Sequence, residues 1–276
     1  MIRIARDAAG RARARYEEHV GEGIPFDEKA PGHPVTAVDR ELDAAIGRAL
    51  REAFPEAGVV SEESVPDGDV LRVELAKDEV FFVDPIDGTR EFINKNGEFA
   101  VMIGLARAGR AAAGVVALPA EGRLLAGRVG QRAFEESADG RRSLVVTSGV
   151  AQFAQAGLVV SRSHPPAIVE PLRRRLGLGR VLRCGSVGVK VARIVTGAAD
   201  LYVHGGHGLS AWDTCAPEAV LVAAGGRLTD LDGARLDYRG EVAFARGLVA
   251  SNGVLYPGVM SAVAWAEREA ARLGAS

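Results

Sequence analysis

The chain has 276 residues, which is enough for one large domain or two smaller ones. A formal net charge of -2 gives no electrostatic case for binding nucleic acid or a membrane surface. Hydrophobic residues make up 47% and aromatic residues 5%, so we expect an aliphatic core, and no apolar stretch approaches the roughly 20 residues that a membrane-spanning helix needs.

The first 53 residues predict two helices. Residues 2–19 have the apolar spacing of an amphipathic helix; five arginines and no long apolar run argue against a secretory signal there, and a transit peptide is the weaker alternative. A loop rich in glycine and proline follows, up to Pro34. The second helix is predicted over 39–53, with Asp39 near its start, where the helix dipole favours an acid.

The pattern then changes to strands. Val59-Val60 precedes an acidic turn, Ser61 to Ser64, and a strand is predicted over 79–84. A meander of three further strands follows, predicted over 99–106, 111–118 and 123–129. Helices followed by a mostly antiparallel sheet predict an α+β arrangement for the first half.

After residue 143 strands and helices alternate, as in a layered α/β unit. The predicted strands are 144–147, 158–161, 181–184, 200–203, 227–230 and 247–250, and the predicted helices are 150–155, 166–176, 186–196, 213–224 and 257–272. We therefore predict two domains, an N-terminal one over 1–143 and a C-terminal one over 144–276. Cys184 and Cys215 lie in no CxxC pair and are predicted to be buried thiols of a cytoplasmic protein.

The segment from Phe81 to Glu91 is the most informative part of the chain. An apolar run ends in Asp84 and Asp87, three positions apart, with Thr89 just beyond them. Two neighbouring carboxylates repel each other unless a cation or a proton lies between them. The segment therefore predicts a divalent-metal site at a strand end, with Thr89 placed to orient a water molecule or a phosphate.

Other acids also lie at the ends of predicted elements: Asp39, Glu62, Glu63 and Asp213. Each one alone is ordinarily a helix cap or a solvated turn. Taken together they form an oxygen-only ligand set, which suits Mg²⁺ or Mn²⁺ rather than Zn²⁺. Such a set indicates phosphoryl transfer to water with metal assistance. His204 and His207 could bind a metal, but we interpret them as incidental imidazoles of a loop.

Two separated segments, Asp84-Pro85-Ile86-Asp87-Gly88-Thr89 and Trp212-Asp213-Thr214-Cys215-Ala216-Pro217, resemble the paired signatures of the inositol monophosphatase superfamily. The resemblance extends from about Pro34 to Tyr238. It implies a layered αβαβα sandwich of the inositol monophosphatase and fructose-1,6-bisphosphatase type. It also implies a Mg²⁺-dependent, lithium-sensitive phosphatase with two or three metal ions, Mn²⁺ being an alternative.

Within that superfamily the chain is most similar to the 3'(2'),5'-bisphosphate nucleotidases. The similar segments are Arg90–Phe99, Ser161–His164, Gly185–Lys190 and Trp212–Tyr238. This resemblance implies hydrolysis of adenosine 3',5'-bisphosphate to AMP and phosphate, as part of sulfur assimilation. An inositol, sugar or histidinol phosphatase is the alternative enzyme, and a catalytically silent scaffold protein is the non-enzymatic one.

The resemblance also implies a role for each matching residue. Glu62, Asp84, Asp87 and Asp213 would bind metal through carboxylates, and Ile86 through its carbonyl. Asp39 and Thr89 would orient and deprotonate the attacking water. The substrate would meet Asp213, the N–H groups of Gly88 and Thr89, and Ser186 and Lys190 in the nucleotide pocket. The expected partner is a small phosphomonoester, with no nucleic acid and no membrane span, and the protein is expected to be a monomer or a homodimer.

The sequence departs from the superfamily pattern at three places. Gly32-His33 precedes Pro34 where small polar or acidic residues are usual, and Ser61 replaces a common glycine. The loop 203–210 has no clear basic residue to hold a second phosphate. Arg162 or Arg183 could supply that charge, and a surface role is the alternative for each.

Overall fold

Two large β-sheets and the helices that cover them form the fold in the computed structural model, which describes residues 1–18, 23–163 and 165–274. The α-helices in these ranges are α1 (Ile2–Glu18), α2 (Ala37–Ala53), α3 (Gly68–Leu75), α4 (Thr89–Ile93), α5 (Val169–Leu176), α6 (Val187–Val195), α7 (Ala211–Ala223) and α8 (Tyr256–Arg272). Residue 19 of the first predicted helix, and His164, lie outside the described residues.

The strands that form the first large sheet come from the first half of the chain. They are β3 (Gly58–Ser61), β4 (Glu79–Asp87), β5 (Ala100–Arg107), β6 (Arg110–Leu118), β7 (Arg123–Arg128), β8 (Ala133–Ser137) and β9 (Arg142–Val145), adjacent in that order. β3 and β4 are parallel, and every later pair is antiparallel. The predicted antiparallel meander is confirmed.

The second large sheet has five strands from the second half. They are β10 (Gly157–Ser161), β11 (Arg180–Cys184), β12 (Leu201–His204), β14 (Arg227–Thr229) and β16 (Leu248–Ser251), in the order β11-β10-β12-β16-β14. Two short antiparallel pairs complete the strands: the hairpin of β1 (Phe26–Ala30) with β2 (His33–Thr36), and β13 (Leu209–Ser210) with the distant β15 (Ala243–Phe244).

Alternation of side chains along the strands of the first sheet creates two apolar faces. Phe81 and Val83 pack with α1 and α2 on one face. Phe82 and Met102 point the other way and join α6, α7 and the inner face of the second sheet. The outer face of the second sheet is covered by α5 and α8. The layers are therefore α, β, α, β and α, and the predicted αβαβα sandwich is confirmed.

A row of glycines brings α7 close to the first sheet. Gly104, Gly114 and Gly127 are direct cross-strand neighbours on β5, β6 and β7. A Cβ atom at Gly114 would lie 2.3 Å from the carbonyl oxygen of Ala216, and one at Gly104 would lie 2.5 Å from the Ala216 nitrogen. Only glycine allows this approach. The row thus sets the depth at which α7 lies between the sheets.

Two predictions about local structure are wrong, and α3 was not predicted. The predicted loop before Pro34 contains the hairpin β1–β2, whose first strand is exposed along its whole length. The predicted helix over 150–155 is only a 3-10 turn, Phe153–Gln155; Gln152 before it is extended, and the Val150 carbonyl accepts a 2.9 Å hydrogen bond from the Asn252 amide in place of a helical one. α3 is absent from the predictions; its Val70 and Val73 are exposed, so it lacks a clear apolar stripe.

The division of the chain at 143/144 stays a prediction. β9 ends at Val145 and β10 begins at Gly157. The central apolar cluster nevertheless contains residues from both halves, Phe82 and Val159 among them. No helix in the described part of the chain is long and apolar enough to cross a membrane.

Candidate active site

Three aspartates from separate segments meet between the two sheets. Asp84 and Asp87 lie at the end of β4, and Asp213 lies in the first turn of α7. One carboxylate oxygen of each lies within 4.8 Å of the others. Both Asp84 and Asp87 reach the cluster from β4 because the pairing of β4 with β5 is irregular between these two residues. The arrangement is an all-oxygen cluster of the size that a divalent cation occupies.

Asp84 gives the strongest indication that the cluster is a cation site. The residue is 1% exposed, and its Oδ1 has no hydrogen-bond partner among the described residues. Burial, and then the negative charges of Glu62, Asp87 and Asp213, raise the pKa of Asp84 well above its usual range. Buried polar atoms are normally paired, and an unpaired charge is costly. A cation at this point would remove both penalties, so the residues fit a metal.

Asp87 is held by the beginning of α6. Its Oδ2 accepts hydrogen bonds of 2.5 Å from the Ser186 hydroxyl and the Gly188 N–H, and its Oδ1 accepts one of 3.2 Å from the Val187 N–H. These donors include the free N–H groups of a helix terminus, which stabilise negative charge. Burial raises the pKa of Asp87, and the bond from Ser186 opposes that effect. Asp87 therefore couples the first sheet to the second half of the chain.

Asp213 is fixed by its own helix. Its Oδ2 accepts a 2.6 Å hydrogen bond from the N–H of Ser210, the residue that caps α7. Burial, and then the charges of Asp87 and Glu62, raise the pKa of Asp213 well above its usual range. The other oxygen remains for the shared centre.

Asp39 and Thr89 form a hydrogen-bonded pair beside the cluster. The Thr89 hydroxyl lies 3.1 Å from Asp39 Oδ1 and 3.2 Å from the Ile86 carbonyl oxygen. Asp39 Oδ2 accepts bonds from the Thr36 N–H and hydroxyl, at 2.9 and 2.5 Å. Burial raises the pKa of Asp39, and the bonds from Thr36 and Thr89 oppose the rise. A buried carboxylate directed at a hydroxyl is the arrangement needed to draw a proton from that hydroxyl.

Gly88 makes the turn between Asp87 and Thr89 possible. Its φ of 93° lies in the left-handed region, and an added Cβ would lie 3.0 Å from the Glu98 carbonyl oxygen. α4 begins at Thr89, so the first N–H groups of that helix have no intrahelical acceptor. The predicted roles of the Gly88 and Thr89 N–H groups with phosphate stay predictions.

Glu62 lies outside the three-aspartate cluster. It follows β3, and its Oε1 accepts a 3.0 Å hydrogen bond from the Lys29 ammonium, which also bonds Glu63 at 2.6 Å. Burial raises the pKa of Glu62, and the charge of Lys29 opposes that rise. Lys29 belongs to β1, so the hairpin that sequence reasoning missed places a cation beside an expected metal ligand. The predicted role of Glu62 stays a prediction.

Ser186 and Lys190 lie one turn apart on α6. Ser186 both bonds Asp87 and caps α6 through a 3.0 Å bond from the Val189 N–H. Lys190 is 3% exposed, and its ammonium lies 5.2 Å from the centre of the Tyr202 ring. Burial lowers the pKa of Lys190, and the charge of Asp87 opposes that effect. Both residues support the acid cluster; their contact with substrate stays a prediction.

Thr36 and Ser210 position two of the acids, Asp39 and Asp213, and neither was predicted from the sequence. Each begins a capping box: Thr36 with Asp39, and Ser210 with Asp213. The spacing of a hydroxyl residue three positions before an acid is visible in the sequence and could have found them. Lys29 had no comparable signal, because its hairpin brings it to Glu62 from 33 positions away.

An open cleft lies beside the cluster. It has a volume of about 490 Å³, and its walls include Lys29, His33, Glu62, Thr89 and Trp212 but none of the three aspartates. A neighbouring cleft of about 410 Å³ shares His33 with it and reaches Arg162. The Arg162 guanidinium is bonded to the Glu98 carboxylate, at 3.0 Å from Nε and 2.5 Å from Nη2. Together the two clefts have room for a small phosphorylated molecule.

The sequence matches the Inositol monophosphatase family over residues 1–268. It is 35% identical over 216 residues to the 3'(2'),5'-bisphosphate nucleotidase CysQ of Escherichia coli K12, covering 78% of this chain and 84% of that protein. It is 31% identical over 243 residues to 3'(2'),5'-bisphosphate nucleotidase 1 of Mus musculus, covering 75% of this chain and 74% of that protein.

The fold is similar to solved structures as well. An IMPase of Thermotoga maritima superposes with a TM-score of 0.78 at 24% identity, covering 98% of this chain and 97% of that one. An inositol monophosphatase from Anabaena superposes with a TM-score of 0.74 at 24% identity, covering 95% and 94%. At this identity the likeness concerns the fold alone.

Proposed function

This chain belongs to the inositol monophosphatase family, a family of metal-dependent phosphatases, and on that premise we propose that it is a Mg²⁺-dependent 3'(2'),5'-bisphosphate nucleotidase. The proposed reaction removes the 3'-phosphate of adenosine 3',5'-bisphosphate and yields AMP and phosphate. The observation that carries the reaction type is the cluster of Asp84, Asp87 and Asp213 with its unpaired buried oxygen. The names of the relatives at 31% and 35% identity support the choice of substrate.

The proposed metal ligands are Asp84, Asp87 and Asp213, with Glu62 and the Ile86 carbonyl completing the set. When bound there, Mg²⁺ would neutralise the carboxylates, polarise the phosphate and lower the pKa of a water molecule. The oxygen-only donor set favours Mg²⁺, with Mn²⁺ as the alternative and two or three ions in all.

Asp39 and Thr89 would activate the water. The Thr89 hydroxyl has one proton, which in this proposal it would direct to Asp39 Oδ1, at 3.1 Å, rather than to the Ile86 carbonyl oxygen, at 3.2 Å. Its lone pairs are then free to accept a hydrogen bond from the attacking water. Burial keeps Asp39 a stronger base than an exposed aspartate, because it raises the carboxyl pKa. Proton transfer along this pair would generate the nucleophile.

The nucleotide would lie in the two clefts beside the cluster. Gly88 and Thr89 N–H groups would meet the transferred phosphate, and Asp213 would contact the substrate near the leaving oxygen. Lys190 supplies positive charge behind Asp87. We further propose a cytoplasmic protein, monomeric or homodimeric, whose buried cysteines need no oxidising compartment.

A phosphate-release assay over a substrate panel tests this function. The panel contains adenosine 3',5'-bisphosphate, inositol 1-phosphate, histidinol phosphate and a sugar phosphate, each with Mg²⁺ and with EDTA. The proposal predicts Mg²⁺-dependent release with the highest kcat/KM for adenosine 3',5'-bisphosphate. Preference for inositol 1-phosphate would overturn the substrate and keep the reaction, whereas no Mg²⁺-dependent release from any member would overturn both.

A further inference from the structure

A third cleft lies beside α1. It is bounded by α1, by the corner between β6 and β7, and by the β8–β9 hairpin, and its volume is about 670 Å³. None of its lining residues belongs to the acid cluster or to the two clefts beside the cluster. The volume is within the range of small-molecule sites. The proposed reaction assigns no role to this cleft.

One face of α1 forms a wall of the cleft. Arg6, Ala9, Gly10 and Arg13 line it, and their spacing places them on one side of the helix. The two arginines are separated by about 10 Å along the helix axis, at 1.5 Å for each residue. Ala9 and Gly10 lie between them, and Pro119 lies across the cleft. The wall therefore has cationic ends and a smooth apolar centre.

Gly10 is the unexpected residue of this wall. It lies in the middle of α1, where glycine destabilises a helix by about 1 kcal/mol relative to alanine. No packing constraint explains it, because a Cβ atom there would meet nothing within 4 Å. A side chain at this position would instead project into the cleft. The glycine keeps open a space that neither helix stability nor packing requires.

The arginines of the cleft retain unused donors. Glu136 is bonded by Arg6 Nε and Nη2, at 2.7 and 2.9 Å, and by Arg142 Nε at 2.7 Å. Within the described residues Arg13 donates only from Nε, to Glu17 at 2.7 Å, and Arg123 forms ion pairs with Glu121 and Glu135, each at 3.1 Å. A guanidinium group has five N–H donors. Each of the four arginines that line the cleft forms an ion pair, yet Arg6, Arg13 and Arg142 keep N–H groups that these pairs do not use.

We propose that this cleft binds a phosphate monoester with a flat apolar body, such as a nucleoside monophosphate. Arginine donors would hold the phosphate in the paired geometry that guanidinium groups favour. The surface formed by Ala9, Gly10 and Pro119 would receive the apolar body. This site is independent of the acid cluster and does not rest on the proposed reaction.

Isothermal titration with AMP tests the proposal on the full chain. The titration is done in EDTA, because carboxylates without a cation repel phosphate and weaken binding at the acid cluster. The wild-type protein should bind AMP saturably at one site, and inorganic phosphate more weakly. Gly10→Leu should abolish binding, and Arg13→Gln should weaken it about 10-fold, as expected for a lost hydrogen bond to a charged group. Arg132→Gln, an exposed arginine outside the cleft, is the matched control and should bind normally.

Stability separates loss of the site from loss of the fold. Gly10→Leu should raise the Tm of the ligand-free protein, because leucine favours a helix and meets no obstacle there. A variant that is more stable and no longer binds AMP would support the site. The proposal is overturned if the wild type binds no AMP at millimolar concentration, if Gly10→Leu binds it as well as the wild type does, or if inorganic phosphate binds equally well.

Discussion

The Asp87 side chain has two structural roles in the candidate site. Its carboxylate takes three hydrogen bonds from the start of α6 and also reaches the aspartate cluster. Asp87→Asn keeps the shape and one acceptor oxygen but removes the ligand charge. We expect turnover to fall about 10²-fold or more, since metal charge stabilisation is worth several kcal/mol.

Steady-state phosphate release measures this loss, with circular dichroism to verify folding. Asp27→Asn is the matched control, because Asp27 is an exposed acid of the neighbouring hairpin and lies outside the cluster. Its activity should be normal. Near-normal turnover in Asp87→Asn would refute the role of Asp87 as a ligand.

Thr89 permits a test of the proton path with two substitutions. Thr89→Val is nearly isosteric but removes the hydroxyl that bonds Asp39, whereas Thr89→Ser keeps it. We expect kcat to fall about 10²- to 10⁴-fold in the valine variant, the usual contribution of general acid–base catalysis. The serine variant should stay within a few-fold of wild type. Equal activity of the two variants would exclude a proton path through Thr89.

Residues of the site differ in how far the sequence predicted them. Asp84 and Asp87 were predictable because an apolar strand that ends in two acids needs a cation. Lys29 was not, because its contact with Glu62 depends on a hairpin with no apolar alternation. A local sequence pattern predicts which side chains lie together on one segment, but it does not predict which distant segment those side chains contact.

At the scale of elements, the glycine row on β5, β6 and β7 sets the position of α7 and therefore of Asp213. Gly114→Ala would place a methyl group 2.3 Å from the Ala216 carbonyl oxygen. We expect a loss of about 1–3 kcal/mol in the free energy of unfolding, as for other overpacked cores. Urea denaturation measures it. Gly149→Ala, which meets nothing within 4 Å, is the control and should be neutral; a neutral Gly114→Ala would contradict the close approach.

α7 also carries a buried acid that predicts pH-dependent stability. Burial raises the pKa of Glu218 to about 7, although the Tyr238 hydroxyl donates to it at 2.6 Å. The folded state therefore binds more protons than the unfolded state between the ordinary glutamate pKa of 4.5 and a pH of about 7. Stability should fall as pH rises through that window, by about 3 kcal/mol in all at 1.36 kcal/mol per pKa unit.

Glu218→Gln isolates this contribution, because glutamine keeps the acceptor for Tyr238 and cannot ionise. The difference in unfolding free energy between variant and wild type should change across the window and be constant above it. Urea denaturation at several pH values measures the difference. An unchanged difference from pH 4.5 to 8 would show that Glu218 does not titrate as its burial implies.

Helices and strands with one buried face were predictable from the sequence, whereas exposed elements were not. α2 shows the periodic apolar stripe of Leu42, Ile46 and Leu50, all buried. The segment 150–155 has helical composition, yet the amide of Asn252 fixes its backbone from about 100 positions away. Tertiary contacts of this kind override local propensity.

At the scale of the whole molecule, the acid cluster lies where the two sheets and α7 meet, so a cation there should stabilise the entire fold. A ligand that binds only the folded state raises stability by mass action, by about 2.7 kcal/mol at 100 times its Kd. We expect millimolar Mg²⁺ to raise the Tm of the wild type. Asp84→Asn should raise the Tm in EDTA, because it removes repulsion among buried carboxylates, and should reduce the response to Mg²⁺. A Tm that is independent of Mg²⁺ would contradict a metal site at this cluster.

We propose that this αβαβα sandwich is a Mg²⁺-dependent nucleotidase that cleaves the 3'-phosphate of adenosine 3',5'-bisphosphate. ³¹P NMR of that substrate with the purified protein and Mg²⁺ is the decisive measurement, because the 3'- and 5'-phosphates give separate signals. We expect the 3'-phosphate signal to disappear, inorganic phosphate and AMP to accumulate together, and EDTA to stop the change. Two persistent phosphate signals in the presence of Mg²⁺, or accumulation of adenosine 3'-monophosphate in place of AMP, would contradict this proposal.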